Sequence, residues 1–265
     1  MQANEYEADL ALLTEAARAA GEIALKYWRR APAAWDKGDG AGPVSEADLA
    51  VNEMLEAELG AARPGYGWLS EESADNPARL GAERVFIVDP IDGTRAFLAD
   101  EGGFAHALAV VEAGRVVAGV VHLPALGLTY AAHAAGPALL NGAPIAPSAA
   151  TRVEGASVLT SKLSDAASNW RNGEPGYRRS FRPSLAWRLC LVAEGKFDAT
   201  ISLRPCWEWD IAAASLIAER AGALATDRAG RALGFNGAHA QNNGLIVAPP
   251  ALHADFLAHL RPWPL

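Results

Sequence analysis

The feature that most constrains the fold is one stretch, residues 84–97, which reads RVFIVDPIDGTRAF. Its apolar run Val85–Val88 is typical of a buried β-strand, and the strand delivers two carboxylates, Asp89 and Asp92, at its end. Gly93 then punctuates a tight turn. The chain is therefore expected to form a sheet that presents fixed negative charge where this strand ends.

Two carboxylates three residues apart can converge on one point, where they repel each other unless they are protonated or bridged by cations. Oxygen ligands of this kind favour a hard ion such as Mg²⁺ or Ca²⁺. Pro90 presets the backbone and Gly93 permits close approach, so the amides of Gly93 and Thr94 are predicted to bind an anion at the start of a helix. The stretch indicates a corner for a metal and a phosphate, although an ordinary turn after a strand has the same spacing.

Two further carboxylate clusters stand at predicted element ends. Glu71 and Glu72 follow the short strand Gly67–Leu69, and Asp210 precedes an alanine-rich helix over 211–220. A solvated acidic loop explains the first cluster taken alone, and a helix cap explains Asp210 taken alone. Three such clusters, each at the end of an element, favour one shared site.

The order of the remaining patterns predicts an α/β fold. Helical periodicity over 6–30 and a second helix capped by Ser45 precede a mostly antiparallel sheet, and a glycine-rich, mobile loop over 35–43 is expected between the helices. In the second half, strands and helices alternate. We therefore expect a layered α/β sandwich with an N-terminal α+β unit, residues 1–150, a C-terminal α/β unit, residues 151–265, and the site in the cleft between them.

Composition argues against several classes of function. A net charge of −8 does not suit a protein that binds the nucleic-acid backbone, which normally needs a basic patch. The chain shows neither a secretion signal at its start nor an apolar run of membrane-spanning length, and its two cysteines, Cys190 and Cys206, fit structural thiols in a reducing cytoplasm. The six histidines lack metal-ligand spacing and the serines lack a nucleophile motif, so neither zinc nor serine catalysis is expected.

Eight tryptophans are more than usual for a chain of this length. Trp68, Trp207 and Trp209 stand beside the predicted site and are interpreted as core packing rather than as a platform for a base. Trp35 is the exception, because it falls in the glycine-rich loop, where a large aromatic side chain has little core to join.

The three clusters carry a family resemblance. Glu71-Glu72, then residues 89–94 as DPIDGT, then Trp209-Asp210 resemble, in this order, the motifs of the inositol monophosphatase superfamily, and Lys37 and Asp48 match positions in its N-terminal part. The resemblance implies the sugar-phosphatase fold, with alternating α/β/α/β/α layers. It also implies a Mg²⁺-dependent, often lithium-sensitive phosphatase that acts as a homodimer on small phosphorylated substrates.

The same resemblance implies the metal ligands. Glu71, Asp89 and the backbone carbonyl of Ile91 would hold one Mg²⁺. Asp89 would bridge to a second ion, completed by Asp92 and Asp210. Two cations about 4 Å apart suit in-line displacement at phosphorus, because one activates water while the other stabilises the leaving oxygen.

Roles in catalysis and substrate binding follow from the resemblance in the same way. Thr94 and Glu71 would orient and deprotonate the attacking water, with Asp48 beside them and near a third, weaker metal. The amides of Gly93 and Thr94 would grip the phosphate, and Glu72 is left with a supporting role. The remaining predicted substrate contacts are Lys37, Arg95, Ser184 and Arg204.

Short signals point to one branch of the family. Arg95 with Phe97, LSEE over 69–72 and EWD over 208–210 look like bacterial 3′(2′),5′-bisphosphate nucleotidases, and Arg204 stands near the place where inositol phosphatases have a ring-binding glutamate. These signals favour 3′-phosphoadenosine 5′-phosphate as substrate. Inositol 1-phosphate, or another sugar phosphate such as fructose 1,6-bisphosphate, is the alternative. A non-catalytic regulator that binds metal or nucleotide would be expected to have lost ligands that are all present here.

Overall fold

The computed structural model describes residues 2–38, 42–173 and 175–262. Helix α1, Gln2–Tyr27, begins and ends a few residues before the positions predicted from its periodicity. It lies close to the sheet beneath it because its buried face is built from small residues: a Cβ at Gly21 would stand 2.9 Å from the Cβ of Pro124. Helix α2, Glu46–Ala62, is capped by Ser45 as predicted, in a capping box completed by Asp48.

A small hairpin connects α1 and α2, and it corrects one expectation. The segment 35–43 was expected to be too glycine-rich to pack, yet its ends pair as strands β1, Ala34–Asp36, and β2, Pro43–Ser45. Trp35 pairs in register with Val44, and its side chain is exposed. The loop 35–43 was predicted to be mobile, and its central residues 39–41 lie outside the described residues.

The first half of the chain forms a seven-stranded sheet whose spatial order follows the sequence. Its first two strands are parallel and every later neighbouring pair is antiparallel. The strands are β3 Gly67–Ser70, β4 Arg84–Asp92, β5 Ala105–Glu112, β6 Arg115–Leu123, β7 Leu128–His133, β8 Leu139–Leu140 and β9 Ala143–Pro144. All nine residues of β4 are buried, and the short helix α3, Thr94–Leu98, follows it after Gly93.

The second half forms a five-stranded mixed sheet, with β13 and β15 paired separately. Its spatial order is β11-β10-β12-β16-β14. The strands are β10 Ser157–Leu159, β11 Arg178–Ser180, β12 Ala199–Ser202, β13 Cys206–Trp207, β14 Leu224–Thr226, β15 Gln241–Asn242 and β16 Leu245–Ala248. The helices are α4 Leu185–Ala193, α5 Glu208–Ala221 and α6 Pro250–His259, the last within a residue of its predicted limits.

The elements stack in five layers. Helices α1 and α2 cover one face of the seven-stranded sheet, α4 and α5 fill the space between the two sheets, and α6 packs on the outer face of the five-stranded sheet. This is the α/β/α/β/α order expected from the sequence. The middle core combines residues from both halves, from Leu69 to Val247, so a division into units at residue 150 stays a prediction.

None of the helices described is both long and apolar enough to span a membrane. Both cysteines, Cys190 and Cys206, are buried and free.

Candidate active site

Three carboxylates from different elements meet at one edge of the seven-stranded sheet. Oxygens of Glu71, Asp89 and Asp210 lie within 4.8 Å of one another. Strands β3 and β4 are parallel, so their carboxyl ends emerge side by side and bring Glu71 next to Asp89. Asp210 approaches from the first turn of α5, which packs on the same sheet. The fold thus gathers the three separate acidic motifs of the sequence into one cluster.

Asp89 lies at the centre of this cluster, and one of its carboxylate oxygens lacks a hydrogen-bond partner among the described residues. This oxygen, Oδ1, is buried. Burial, followed by the charges of Glu71, Asp92 and Asp210, raises the pKa of Asp89 well above its ordinary value. A buried carboxylate without a partner is costly, and a divalent cation placed among these oxygens would remove both the desolvation penalty and the mutual repulsion.

Asp92 has hydrogen-bond partners, in contrast to Asp89 Oδ1, which has none among the described residues. Its Oδ2 accepts hydrogen bonds from the Ser184 hydroxyl and from the Ala186 amide, each at 2.6 Å. Burial raises the pKa of Asp92 to about 6, although these bonds favour its charged form. Asp92 therefore ties β4 to the start of α4 with one oxygen, and Ser184, itself fully buried as the cap of α4, lies behind this carboxylate.

A bulge shapes the turn between the two aspartates. Asp89 pairs with Ala107 and Asp92 with Ala105, so Pro90 and Ile91 together face a single residue of β5, His106. The carbonyl of Pro90 accepts a hydrogen bond from His106 Nδ1, which fixes the proton on that nitrogen because a carbonyl cannot donate.

His106 is a residue that motif reasoning missed. It is completely buried, and burial lowers its pKa to about 4, so it is neutral near pH 7. The available signal was a lone polar residue in the apolar strand 105–111, paired with the middle of the DPIDGT motif. Its imidazole supplies the bulged Pro90 carbonyl with a partner.

Asp48 and Thr94 are both buried beside the cluster and are joined by a hydrogen bond. The Thr94 hydroxyl lies 3.1 Å from Asp48 Oδ1 and 3.2 Å from the carbonyl oxygen of Ile91. The other Asp48 oxygen accepts from the amide and the hydroxyl of Ser45, at 2.9 and 2.5 Å. Burial is the main cause of the raised pKa of Asp48. The capping box of α2 thus holds the carboxylate that positions Thr94.

Lys37 reaches the cluster from the β1–β2 hairpin. Its ammonium lies 2.7 Å from Glu71 Oε1 and 2.6 Å from Glu72 Oε1. Burial disfavours the charged form of Lys37, but the two carboxylates outweigh it and raise its pKa. Burial also raises the pKa of Glu72, to about 7, against the effect of Lys37. A protein cation already neutralises part of the acidic cluster.

The Glu71–Glu72 turn is fastened to α2 by side chains that the sequence analysis did not single out. The Ser70 hydroxyl donates to Asn52 Oδ1 at 2.6 Å, and Asn52 Nδ2 donates to the Ser73 hydroxyl at 3.0 Å. Because α2 also carries Asp48, one helix sets the position of two parts of the site.

The cluster opens into a cleft of about 510 Å³ between the two halves of the chain. Gly93, which begins α3 in the left-handed region at φ 100°, lines it, and so does the exposed side chain of Arg95. Ser184 and Arg204 do not belong to this lining: Ser184 is buried behind Asp92, and Arg204 is exposed on the loop between β12 and β13. Among the described residues, the lining consists of Lys37, Gly42, Pro43, Glu71, Asp89, Ile91, Asp92, Gly93, Thr94, Arg95, Phe181, Pro183, Trp207, Trp209 and Asp210.

Aromatic side chains line part of the cleft. Trp207 and Trp209 stack with ring centroids 4.7 Å apart and an interplanar angle of 9°. Trp207 was expected to pack in the core, but it is 42% exposed. Trp68 and Trp209 meet that expectation in part, since Trp68 is half-buried against the core beneath α1 and α2, and Trp209 against the middle core.

Comparison with known proteins gives this site a family. The model of the inositol monophosphatase family matches residues 5–263. A histidinol-phosphatase of Chlorobaculum parvum is 32% identical over 260 residues, which cover 94% of this chain and 95% of that protein. A 3′(2′),5′-bisphosphate nucleotidase CysQ of Aggregatibacter actinomycetemcomitans is 30% identical over 233 residues, covering 84% and 85%.

A solved structure agrees with these sequence matches. The structure of an IMPase of Thermotoga maritima superposes with a TM-score of 0.79 at 26% identity, covering 95% of each chain. The chain belongs to the inositol monophosphatase family. It is a phosphatase, and the relatives named above divide between different phosphate esters.

Proposed function

We propose that the protein hydrolyses a phosphate monoester with two or three Mg²⁺ ions as cofactors. The observation that carries the proposal is the buried, unpartnered Oδ1 of Asp89 at the centre of three converging carboxylates. The donor set consists of hard oxygens, which suits Mg²⁺. The residues proposed to hold the ions are Glu71, Asp89, the carbonyl of Ile91, Asp92 and Asp210.

When bound, such ions supply a water of lowered pKa and neutralise the charge that develops on the phosphoryl group and the leaving oxygen. The chain's own groups orient that water. Thr94 has one hydroxyl proton; when it donates this proton to Asp48, its lone pairs are free to accept a hydrogen bond from the water. We assign Glu71 as the group that takes the second proton of the water, with Thr94 holding the oxygen in line with phosphorus.

The phosphate is proposed to sit against the turn that starts α3. The amides of Gly93 and Thr94 lie at this point of the cleft, and the left-handed backbone of Gly93 leaves them uncovered by a side chain. Lys37 is proposed to shift from Glu71 to the phosphate when cations occupy the carboxylates. A cation bound to Glu71 neutralises its negative charge, so Glu71 attracts the Lys37 ammonium less strongly.

For the leaving group we propose a 3′(2′),5′-bisphosphate nucleotide, with 3′-phosphoadenosine 5′-phosphate as the first candidate. The support is the exposed guanidinium of Arg95 in the cleft lining, which suits a second phosphate, together with the match to a CysQ nucleotidase. Arg204 no longer contributes to this argument, because it does not line the cleft.

Histidinol phosphate is the second candidate. The observation that favours it is the match to a histidinol-phosphatase across 94% of this chain. Its leaving group carries an imidazole ring and an amine, so it would gain less from Arg95 than a bisphosphate would.

The test is phosphate release from a matched panel by protein stripped with a chelator and then supplied with Mg²⁺. The panel contains 3′-phosphoadenosine 5′-phosphate, histidinol phosphate, inositol 1-phosphate and fructose 1,6-bisphosphate, compared by kcat/KM. We expect activity only with Mg²⁺, and a preference for the nucleotide of at least about tenfold, or ~1.4 kcal/mol in transition-state binding.

Two results of this panel would count against the proposal. Turnover that persists after removal of divalent metal would contradict the metal assignment. A preference for inositol 1-phosphate or fructose 1,6-bisphosphate would contradict the assignment of the leaving group. An Arg95→Gln variant sharpens the choice, because it should lower kcat/KM for the bisphosphate nucleotide and leave histidinol phosphate almost unchanged.

A further inference from the structure

The Trp207–Trp209 stack stands out among the aromatic contacts of the described residues. These two rings are within 9° of parallel. Trp209 is half-buried against the middle core, while Trp207 covers it and is 42% exposed within the cleft lining. One face of Trp207 is covered by Trp209, yet the side chain is exposed and lines the cleft, so its second face is the place where a third flat ring could stack.

The pair is held rigidly. Trp207 ends the strand β13 and pairs with Gln241 of β15, so its backbone is fixed by a ladder. Glu208, between the two tryptophans, is buried and accepts hydrogen bonds from the amides of Asn236 and Gly237 at 2.6 and 2.9 Å. The backbone that carries both tryptophans is therefore fixed before any ligand arrives, and the stack on Trp209 limits the orientations of the Trp207 ring, which lowers the entropic cost of binding.

The position of the pair relates it to the reacting centre. Trp209 is followed directly by Asp210, one of the three clustered carboxylates. Phe181 and Pro183 line the same cleft, together with the carboxylates. A phosphate seated at the carboxylates therefore has its leaving group in a cleft that aromatic and apolar side chains help to line.

We propose that the second face of Trp207 is a subsite for a flat, nitrogen-containing aromatic ring in the leaving group of the substrate. This inference rests on the proposed phosphatase function and specifies which leaving groups it accepts. Electron-poor heteroaromatic rings stack well on indole, and such stacking tolerates different rings because each has a π-face. Trp207 is a specificity-determining residue in this account, and Trp209 fixes its plane.

The subsite disfavours a polyol ring. A cyclohexane polyol is puckered and has no π-face, so it lacks the stacking that a flat heteroaromatic ring gains, and any hydroxyl group that points toward the indole loses water. The apolar and aromatic side chains of the lining offer few acceptors in exchange. Selection between heteroaromatic and polyol esters thus follows from these side chains and not from the carboxylates, which act on the phosphate that all of these esters share.

The experiment compares Trp207→Leu with Trp207→Phe on substrates with and without a flat ring. Leucine keeps apolar volume but removes the plane, while phenylalanine keeps a plane. We expect Trp207→Leu to lower kcat/KM about tenfold for whichever of the two heteroaromatic substrates of the panel above is turned over, and less than twofold for glycerol 2-phosphate. Trp207→Phe should recover most of the loss. An equal loss on both kinds of substrate would overturn the subsite and leave Trp207 a purely structural residue.

Trp35→Leu is the matched control, because Trp35 is also exposed, at 48%, and does not belong to the cleft lining. It should leave the substrate ratio unchanged, and an equal change of the ratio in this variant would overturn the assignment to Trp207.

A binding measurement separates failure of the subsite from failure of the proposed function. Titration with AMP should quench tryptophan fluorescence in the wild-type protein, and the quenching should be largely lost in Trp207→Leu even if no ester is hydrolysed. Quenching of equal size in both proteins would overturn the subsite. Absence of Mg²⁺-dependent phosphate release from every ester, with the quenching difference intact, would instead contradict only the proposed function.

Discussion

The two ends of strand β4 carry opposite charges and differ in how these charges are partnered. At its start, the guanidinium of Arg84 donates to Glu5 at 2.8 Å, to Glu112 at 3.1 Å and to Tyr66 at 2.9 Å. Burial disfavours the charged form of Arg84, but these partners outweigh it and raise its pKa. At the other end, buried Asp89 has acidic neighbours and an oxygen without a partner among the described residues.

The difference shows which charges serve folding and which serve chemistry. The Arg84 end is matched within the chain: Asp9, only 1% exposed, accepts hydrogen bonds from Arg84 at 3.3 Å and from Arg63 and Tyr66. A cavity of about 570 Å³ lies beside that end, around Tyr6 and Glu112, and it is larger than the cleft at the carboxylates. Cavity size therefore does not locate the site. The unmatched charge at the Asp89 end does, because it needs something from outside the chain.

The largest effect is expected for Asp89→Asn. Asparagine has nearly the same shape but removes the central negative charge, so the proposed cation site would lose a ligand and activity should fall by more than about a thousandfold. The metal-free variant should unfold at the same Tm as the wild type or at a higher one, because a repelling buried charge is gone. Phosphate release and thermal unfolding measure the two effects. A large drop in Tm would mean that Asp89 is structural.

The matching change at the other end is Arg84→Met, which keeps apolar length and removes the charge. Asp9 and Glu112 would each lose a partner in a region of low exposure, so the free energy of unfolding should fall by roughly 3 kcal/mol. The folded variant should keep its kcat and its Mg²⁺ requirement. Urea unfolding monitored by circular dichroism gives the stability, and unchanged stability would show that this network contributes nothing.

The effect of Mg²⁺ on the stability of the protein should depend on pH only through the carboxyl groups at the end of β4, Asp89 and Asp92. Burial raises the pKa of Asp92 to about 6 and also raises the pKa of Asp89 well above its ordinary value, so the folded, metal-free protein holds more protons here than the unfolded chain above about pH 4. The stability that these protonated carboxyl groups contribute is therefore lost as pH rises through their raised pKa values. Mg²⁺ restores this contribution only where the carboxylates are charged.

We expect Mg²⁺ to raise Tm more at pH 7.5 than at pH 5, by roughly 2 kcal/mol or about 5 °C. Calorimetry at both pH values, with and without Mg²⁺, measures this difference. Buried neutral histidines such as His106 have the opposite pH dependence, but they contribute equally to both samples and cancel. An equal Mg²⁺ effect at the two pH values would contradict the assignment.

The smallest predicted effect concerns His106, which holds the bulge between the two aspartates through the Pro90 carbonyl. His106→Ala should raise the Mg²⁺ concentration for half-maximal activity about tenfold, because supporting partners of metal ligands commonly have effects of that size. His106→Asn keeps an N–H donor and should recover much of the loss. Equal behaviour of the two variants would show that the ring fills space and does not orient the turn.

The sequence predicted the parts of the site that depend on local pattern. A buried strand, a turn rich in glycine and proline and a capped helix are encoded over a few residues, and the motif order then identified the layered fold. The parallel pairing of β3 and β4 that joins Glu71 to Asp89 follows once that fold is known.

The remaining features depend on register and on packing between distant segments. His106 matters only because it faces a bulge, and Ser184 serves Asp92 because α4 begins beside β4. Arg204 was predicted as a substrate contact because it stands near the place where inositol phosphatases have a ring-binding glutamate, yet its loop leaves it outside the cleft lining. The exposure of Trp207 was not predictable from composition, since tryptophan is more often buried than open to a cleft.

The most direct test of the central claim is calorimetric titration of chelator-treated protein with Mg²⁺ at pH 7.5, in the wild type and in Asp89→Asn. The account predicts saturable binding in the wild type, with protons released from the carboxylates, and loss of most of that binding in the variant. Binding of equal strength in both proteins would place the cation elsewhere and would contradict the claim that the unmatched end of β4 is a metal site.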